Sequence, residues 1–233
     1  MMQYGMPTSA SRPRAEVVNE FLRGVYAWMS GGLLLTAGVA WATVNIQPLL
    51  NFAVNSMLFL ILAELGLVFF LSLRIRQMSP ATAMGSFLGY SALNGLTLSP
   101  ILLVYTQQSV AATFVVTAGM FGAMSAYGLL TKKDLTSWGS LLFMGLIGIV
   151  LASVVNIFLG SATMGFVISG IGVLVFLGLT AYDTQQLKVM GDTASAGGEA
   201  AVRKMTIMGA LKLYLDFINL FLFLLRFMGA ARD

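Results

Sequence analysis

Four polar side chains interrupt the apolar stretch 206–228: Lys212, Asp216, Asn219 and Arg226. At about 100° per residue they share a sector of about 80°, opposite Leu211, Leu213, Phe217, Phe221 and Leu222. An ionised group in hydrocarbon costs about 2.5–3.5 kcal/mol on insertion scales, so this face must meet protein or water. The plain reading is an inner helix held by polar contacts, with Lys212 and Asp216 as an i,i+4 pair; the other is an ion pathway or sensor. Asp183, in Thr180-Ala181-Tyr182-Asp183-Thr184-Gln185-Gln186, follows the preceding apolar stretch. It is either a loop carboxylate at the membrane edge or, if that helix continues past Lys188, a group inside the bundle. From there it can approach Asp216 across an antiparallel hairpin. Two carboxylates close together in a low dielectric cannot both ionise cheaply and titrate as a unit. Deprotonated, they offer hard oxygen ligands suited to Ca²⁺, though H⁺ or another cation fits the same charge chemistry. Glu64, near the middle of the stretch 51–73, is a further intramembrane acid, and Arg74 and Arg76 close that stretch as interfacial anchors or as a counter-charge to Asp183.

The composition narrows what these groups can do. Of 233 residues, 58% are hydrophobic and 9% charged, against roughly 25% charged in an ordinary soluble domain. That excludes soluble enzymes, nucleic-acid binders and disordered chains. With no cysteine and no histidine, thiolate chemistry, imidazole bases and imidazole metal sites are excluded, and a pH response must come from carboxylates or lysines.

Seven apolar windows position these residues: 24–46, 51–73, 81–104, 109–130, 138–159, 163–182 and 206–228, each long enough for a hydrocarbon core about 30 Å thick. Residues 1–23 read as a polar, turn-rich cytoplasmic tail, 24–228 as one transmembrane domain and 229–233 as a short C-terminal tail. Ten Lys and Arg residues fall in the tail and in the segments 74–80, 131–137 and 183–205, whereas 47–50, 105–108 and 160–162 carry none. This bias places the N-terminus in the cytoplasm. A full seventh crossing leaves Arg232 on the opposite side; a re-entrant seventh segment would bring it back. Gly85 and Gly89, Gly119 and Ala123, and Gly165 and Ser169 have the spacing of close helix packing. Gly95 and Pro100 predict a kink, or a break of the kind found in transporters, in the third span.

Leu213-Tyr214-Leu215-Asp216-Phe217-Ile218-Asn219-Leu220-Phe221 with Leu224-Leu225-Arg226 resembles the last span of the transmembrane Bax-inhibitor motif family, bacterial branch. Ala181-Tyr182-Asp183-Thr184-Gln185 is similar to its sixth-helix motif, and Lys132-Lys133-Asp134-Leu135 to its central loop. The resemblance implies an all-α integral membrane fold of seven helices, six around a central seventh, in the bacterial inner membrane. It implies a pH-sensitive calcium leak with Asp183 and Asp216 as the proton-sharing gate and as ligands of the passing Ca²⁺. Glu64 and Asn219 would line the route, and Arg74, Arg76 or Arg226 would supply the counter-charge. No cofactor is implied beyond the transported ion; the partners are the bilayer, Ca²⁺, H⁺ and, in some members, a membrane protease.

Three other functions fit the same residues. A proton-coupled secondary transporter would use the carboxylates as H⁺ carriers. An intramembrane aspartyl protease would use Tyr182-Asp183, but the second aspartate, in Tyr214-Leu215-Asp216, lacks the Gly-x-Gly-Asp setting such enzymes use. A regulatory protein would act by binding a membrane partner. The expectation is a non-enzymatic leak.

Overall fold

The computed structural model describes residues 14–75, 77–194 and 198–232, excepting the side chains of 14, 15 and 194. Among them nine helices succeed one another: α1 (Arg14–Asn45), α2 (Gln47–Asn55), α3 (Met57–Arg74), α4 (Pro80–Leu98), α5 (Ile101–Val104), α6 (Gln107–Leu130), α7 (Thr136–Leu159), α8 (Ala162–Ala194) and α9 (Gly198–Met228). Seven spans are long and apolar enough to cross a bilayer, α4 and α5 together forming the third. Side chains such as Leu58, Leu73, Leu130, Ile157 and Phe158 point outward and are largely exposed, as a lipid-facing surface requires. Trp41 and Trp138, both exposed, lie near helix ends, where an indole favours the interface.

Local chemistry sets the helix limits. Ser79 Oγ accepts from the backbone N–H of Thr82 with Pro80 in the first turn, and Thr106 Oγ1 accepts from Ser109 N–H. Gly160 ends α7 at φ 61°, a left-handed conformation that glycine adopts without a Cβ penalty. Ser99 and Pro100 interrupt the third span, but both keep right-handed helical angles and α5 resumes at once. The result is a kink rather than a discontinuous helix. Gly95 serves packing there: a Cβ would meet Val39 and the Thr36 carbonyl of α1.

Several sequence expectations change. Residues 14–23, read as tail, form the first turns of α1, because Val18, Phe21, Leu22 and Val25 make an apolar stripe buried in the core. The second span begins at Met57, because Pro48 starts a separate helix, α2, that stops at Asn55. The segment 183–205, treated as a loop, is mostly helix: α8 runs to Ala194 and α9 starts at Gly198. At 1.5 Å per residue, α8 is about 50 Å long and outreaches the hydrocarbon core by about 20 Å. The Gly85–Gly89 pair is not a tight helix contact, since a Cβ on Gly85 would meet nothing and one on Gly89 would just touch Leu67.

The last helix runs from one end of the bundle to the other. Beyond α9, Thr106 N–H donates to the Ala230 carbonyl (3.2 Å), Arg232 N–H to the Val104 carbonyl (2.8 Å) and Ala230 N–H to Ser109 Oγ (2.7 Å). The C-terminal segment is therefore fastened to the turn between α5 and α6, at the end of the bundle opposite the basic loop 131–135. A re-entrant seventh segment is excluded. Of the six-around-one arrangement the structure shows this much: α9 packs against α1, α4, α6 and α8. It is also the most enclosed span, 61% buried against 6% for α7.

Candidate functional site: a carboxylate cavity between α7, α8 and α9

The five residues 181–185 on α8 each meet a different neighbour. The backbone of Ala181 lies against Gly128 of α6 so closely that a Cβ there would collide with its carbonyl. The Tyr182 ring covers Gly139 of α7. Thr184, fully buried, shares a hydrogen bond with Ser125 (3.1 Å), which accepts from the Tyr26 hydroxyl of α1 (3.0 Å). Gln185 holds the basic loop: its Oε1 accepts from Leu135 N–H and its Nε2 donates to the Lys133 carbonyl, both at 2.8 Å. Lys188 Nζ donates to the Leu129 carbonyl at the C-terminus of α6, where a cation also complements the helix dipole. In the same loop, hydrogen bonds from Thr136, side chain first and backbone second, hold the exposed Asp134 below the ordinary carboxylate range. With its neighbours committed, Asp183 is fixed in direction.

That direction is inward. Lys212 Nζ of α9 donates to Asp183 Oδ1 at 3.2 Å. The Asp183 side chain is 13% exposed and that of Lys212 39%. The ammonium is thus turned to the neighbouring helix and makes no hydrogen bond to Asp216, its i,i+4 neighbour. Asp216 is 5% exposed, and its Oδ2 is buried without a hydrogen-bond partner. Both aspartates line one cavity of about 580 Å³, with Lys212, Asn219, Ser140, Gly139 and Tyr182 as its polar end and Phe143, Leu146, Phe176, Leu179 and Leu215 as its apolar walls. Since Lys212 faces Asp183, Asp216 lies about one turn, ~6 Å, further along α9. No hydrogen bond joins the two carboxylates, which share the cavity.

The other sequence-selected residues lie elsewhere, with one exception. Asn219 lines the cavity, its amide nitrogen bonded to the Leu215 carbonyl (2.8 Å). Glu64 is outside it: half-buried on α3, it accepts a 2.6 Å hydrogen bond from Thr97 of α4. Arg74 is exposed at the end of α3, and Arg76 lies outside the described residues. Arg226 lines a second cavity of about 570 Å³ with Asn156, Ser153, Ser161 and Ile168, where the C-terminal ends of α7 and α9 meet the start of α8. The buried Asn156 Oδ1 has no hydrogen-bond partner. Between the two cavities Phe223 stacks on Phe176 (centroids 5.7 Å apart) and lies against Gly172.

A second polar knot lies on the opposite face of α9. The fully buried Tyr214 hydroxyl is 2.7 Å from Thr36 Oγ1, and Thr36 donates to the Ser91 carbonyl (2.8 Å), tying α9 to α1 and α4. The partners of Lys212, Gln185 and Tyr214 were not legible in sequence, because each depends on a helix register. Among the described residues no three carboxylates converge as a metal cage. A passing cation would have Asp183, Asp216 and the Ser140 and Asn219 side chains to replace its water.

Seven apolar spans enclosing an unpaired buried carboxylate define a polytopic α-helical membrane protein. The chain belongs to the Bax inhibitor-like family described as "Inhibitor of apoptosis-promoting Bax1", whose profile matches residues 18–233. It is 51% identical, over the full length of both chains, to inner membrane protein YbhL of Escherichia coli strain K12. It is 48% identical to an uncharacterized protein of Borreliella burgdorferi over 93% of this chain and 94% of that one. To an uncharacterized protein of Deinococcus radiodurans it is 45% identical, over 93% and 92%.

Proposed function

We propose that the protein is a cation leak of the bacterial inner membrane that passes Ca²⁺ down its gradient, its conductance set by protonation of Asp183 and Asp216. The observation that carries this reading is Asp216: a carboxylate almost wholly buried, unpartnered at Oδ2, beside a second carboxylate in a cavity large enough for a partly hydrated cation. With both aspartates ionised the cavity carries one negative charge beyond Lys212, and one bound proton removes it. A proton on either acid lowers the attraction for a cation and changes the repulsion between α8 and α9, biasing a closed–open equilibrium. The N-terminus is cytoplasmic, which puts the carboxylate cavity towards the cytoplasm and the Arg226–Asn156 cavity towards the other side. The route runs along α7, α8 and α9 from one cavity to the other, past the stack of Phe223 on Phe176.

Purified protein in liposomes tests this by Ca²⁺ uptake between pH 5 and pH 8. The wild type carries Ca²⁺ with a rate that changes across this range, and Asp216→Asn and Asp183→Asn flatten the change. A full pH response in both variants overturns the assignment. Uphill movement driven by an imposed proton gradient would make the protein a coupled transporter instead.

A further inference from the structure

Lys212 is the group in the carboxylate cavity that a leak does not require. Its ammonium donates to Asp183 Oδ1 at 3.2 Å, in a cavity whose other acid, Asp216, keeps a buried oxygen unpartnered. The cavity-lining residues of α7 are uncharged, α8 supplies Asp183, and α9 supplies Lys212, Asp216 and the neutral Asn219. One ammonium thus lies in a cavity with two acids and is hydrogen-bonded to one of them.

We propose that Lys212 is a tethered counter-cation that occupies the carboxylate site until a mobile cation displaces it, and so sets the affinity and occupancy of that site. This deepens the leak reading and rests on it. An ammonium and a metal cation cannot share Asp183 Oδ1 at bonding distance without strong repulsion in a site partly shielded from water. The Lys212 side chain is 39% exposed, and its four-carbon stem can swing the charged head to water while the stem remains on apolar surface. Removing the ammonium leaves two acids facing the cavity, whose net charge goes from one negative to two with both ionised. The side chain is thereby a specificity element: only a cation that gains more from two carboxylates than the ammonium gains from one takes the site. A divalent, oxygen-seeking ion meets that condition better than a monovalent one.

Two measurements test this with Ca²⁺ as the probe. In the first, Ca²⁺ binding to purified protein in detergent is measured for wild type, Lys212→Met, Lys212→Arg and the double variant Lys212→Met/Asp216→Asn. Lys212→Met binds at least about tenfold tighter, Lys212→Arg stays near wild type and the double variant loses the gain. Equal affinity in wild type and Lys212→Met overturns the proposal. The second uses the unmodified chain, so folding of a variant is not at issue: saturating Ca²⁺ raises the reaction of Lys212 with an amine-selective reagent several-fold, read by mass spectrometry against Lys132 as an internal standard. An unchanged ratio overturns the proposal. Tight binding by Lys212→Met with no Ca²⁺ flux in any variant supports the tethered cation and rejects the leak. A pH-dependent flux with Ca²⁺ affinity indifferent to residue 212 supports the leak and rejects the tethered cation.

Discussion

Asp183 and Lys212, 29 residues apart in the chain, meet at 3.2 Å across the α8–α9 hairpin. This ion pair fixes the register of the two helices at the carboxylate cavity. It also makes the two aspartates unequal, since one has a cation and the other has none.

The inequality gives opposite stability effects. Asp216→Asn removes a buried charge without a hydrogen-bond partner at Oδ2, and an amide is cheaper to bury. Thermal unfolding in detergent at pH 7 is expected to show no loss, or a gain of about 1–3 kcal/mol. Asp183→Asn breaks an ion pair whose lysine is 39% exposed and can rehydrate, so the loss is held to about 1 kcal/mol. A larger loss for Asp216→Asn than for Asp183→Asn would contradict the burial pattern.

The hydrogen bonds from Thr106 and Arg232 to the chain around Ala230 and Val104 place the C-terminal segment across the membrane from the basic loop. The chain has no cysteine, so single-cysteine labelling is free of background. A cysteine replacing Lys132 and one replacing Ala231 are expected to react with a membrane-impermeant maleimide from opposite sides of sealed vesicles. Reaction from the same side would contradict a full seventh crossing.

Glycine positions separate close packing from open surface. Gly128→Ala drives a methyl into the Ala181 backbone, beside the residue that bears the site, and is expected to cost about 1–3 kcal/mol or more. Gly85→Ala meets nothing, and alanine favours a helix by about 0.5–1 kcal/mol over glycine, so no loss is expected. Thermal unfolding of the two single variants in one detergent compares them directly.

That contrast also marks what the sequence carries. Hydropathy alone places the seven spans, since a 20-residue apolar run has few other fates in water. The 3.6-residue period puts Lys212, Asp216 and Asn219 on one face, and the structure gives that face a cavity. Gly85 and Gly89 have the spacing of a packing motif, yet a Cβ would meet nothing at Gly85 and only Leu67 at Gly89, whereas Gly95 and Gly128 take the tight contacts. Helix contacts depend on rotation and register, set by sums of small packing terms that no local pattern encodes. The same reason hid the partner of Lys212: the i,i+4 neighbour is visible in sequence, and the acid on the next helix is visible only once α8 continues past Lys188. The buried stripe of Val18, Phe21, Leu22 and Val25 was legible in principle, but the polar residues around it read as a tail.

Gln185 bonds the loop 131–135 through both ends of its amide. Gln185→Ala removes two hydrogen bonds at the rim of the cavity, with an expected loss of about 1–3 kcal/mol. The local effect is larger than the global one: the backbone at Lys132 and Lys133 is released, and limited trypsin digestion is expected to cut there faster than in the wild type. An unchanged cleavage rate would show that the loop is held by other contacts.

Phe223 tests the route rather than the gate. Its ring stacks on Phe176 and rests on Gly172, between the cavity of Asp216 and that of Arg226. Replacing it by alanine removes one ring of the stack between the two cavities, while the fold keeps the rest of α9, whose buried face includes Tyr214, Leu213 and Leu220. Because Phe223 is only partly buried, the loss is expected to stay below the roughly 3–5 kcal/mol of a fully buried ring. If cations cross from one cavity to the other past this ring, Phe223→Ala raises Ca²⁺ flux in liposomes and leaves its dependence on Asp216 intact, whereas Phe223→Trp lowers it. A Phe223→Ala protein that stays folded and shows wild-type flux would move the route elsewhere. The next place to look is the α3–α4 face, where Glu64 accepts its hydrogen bond from Thr97.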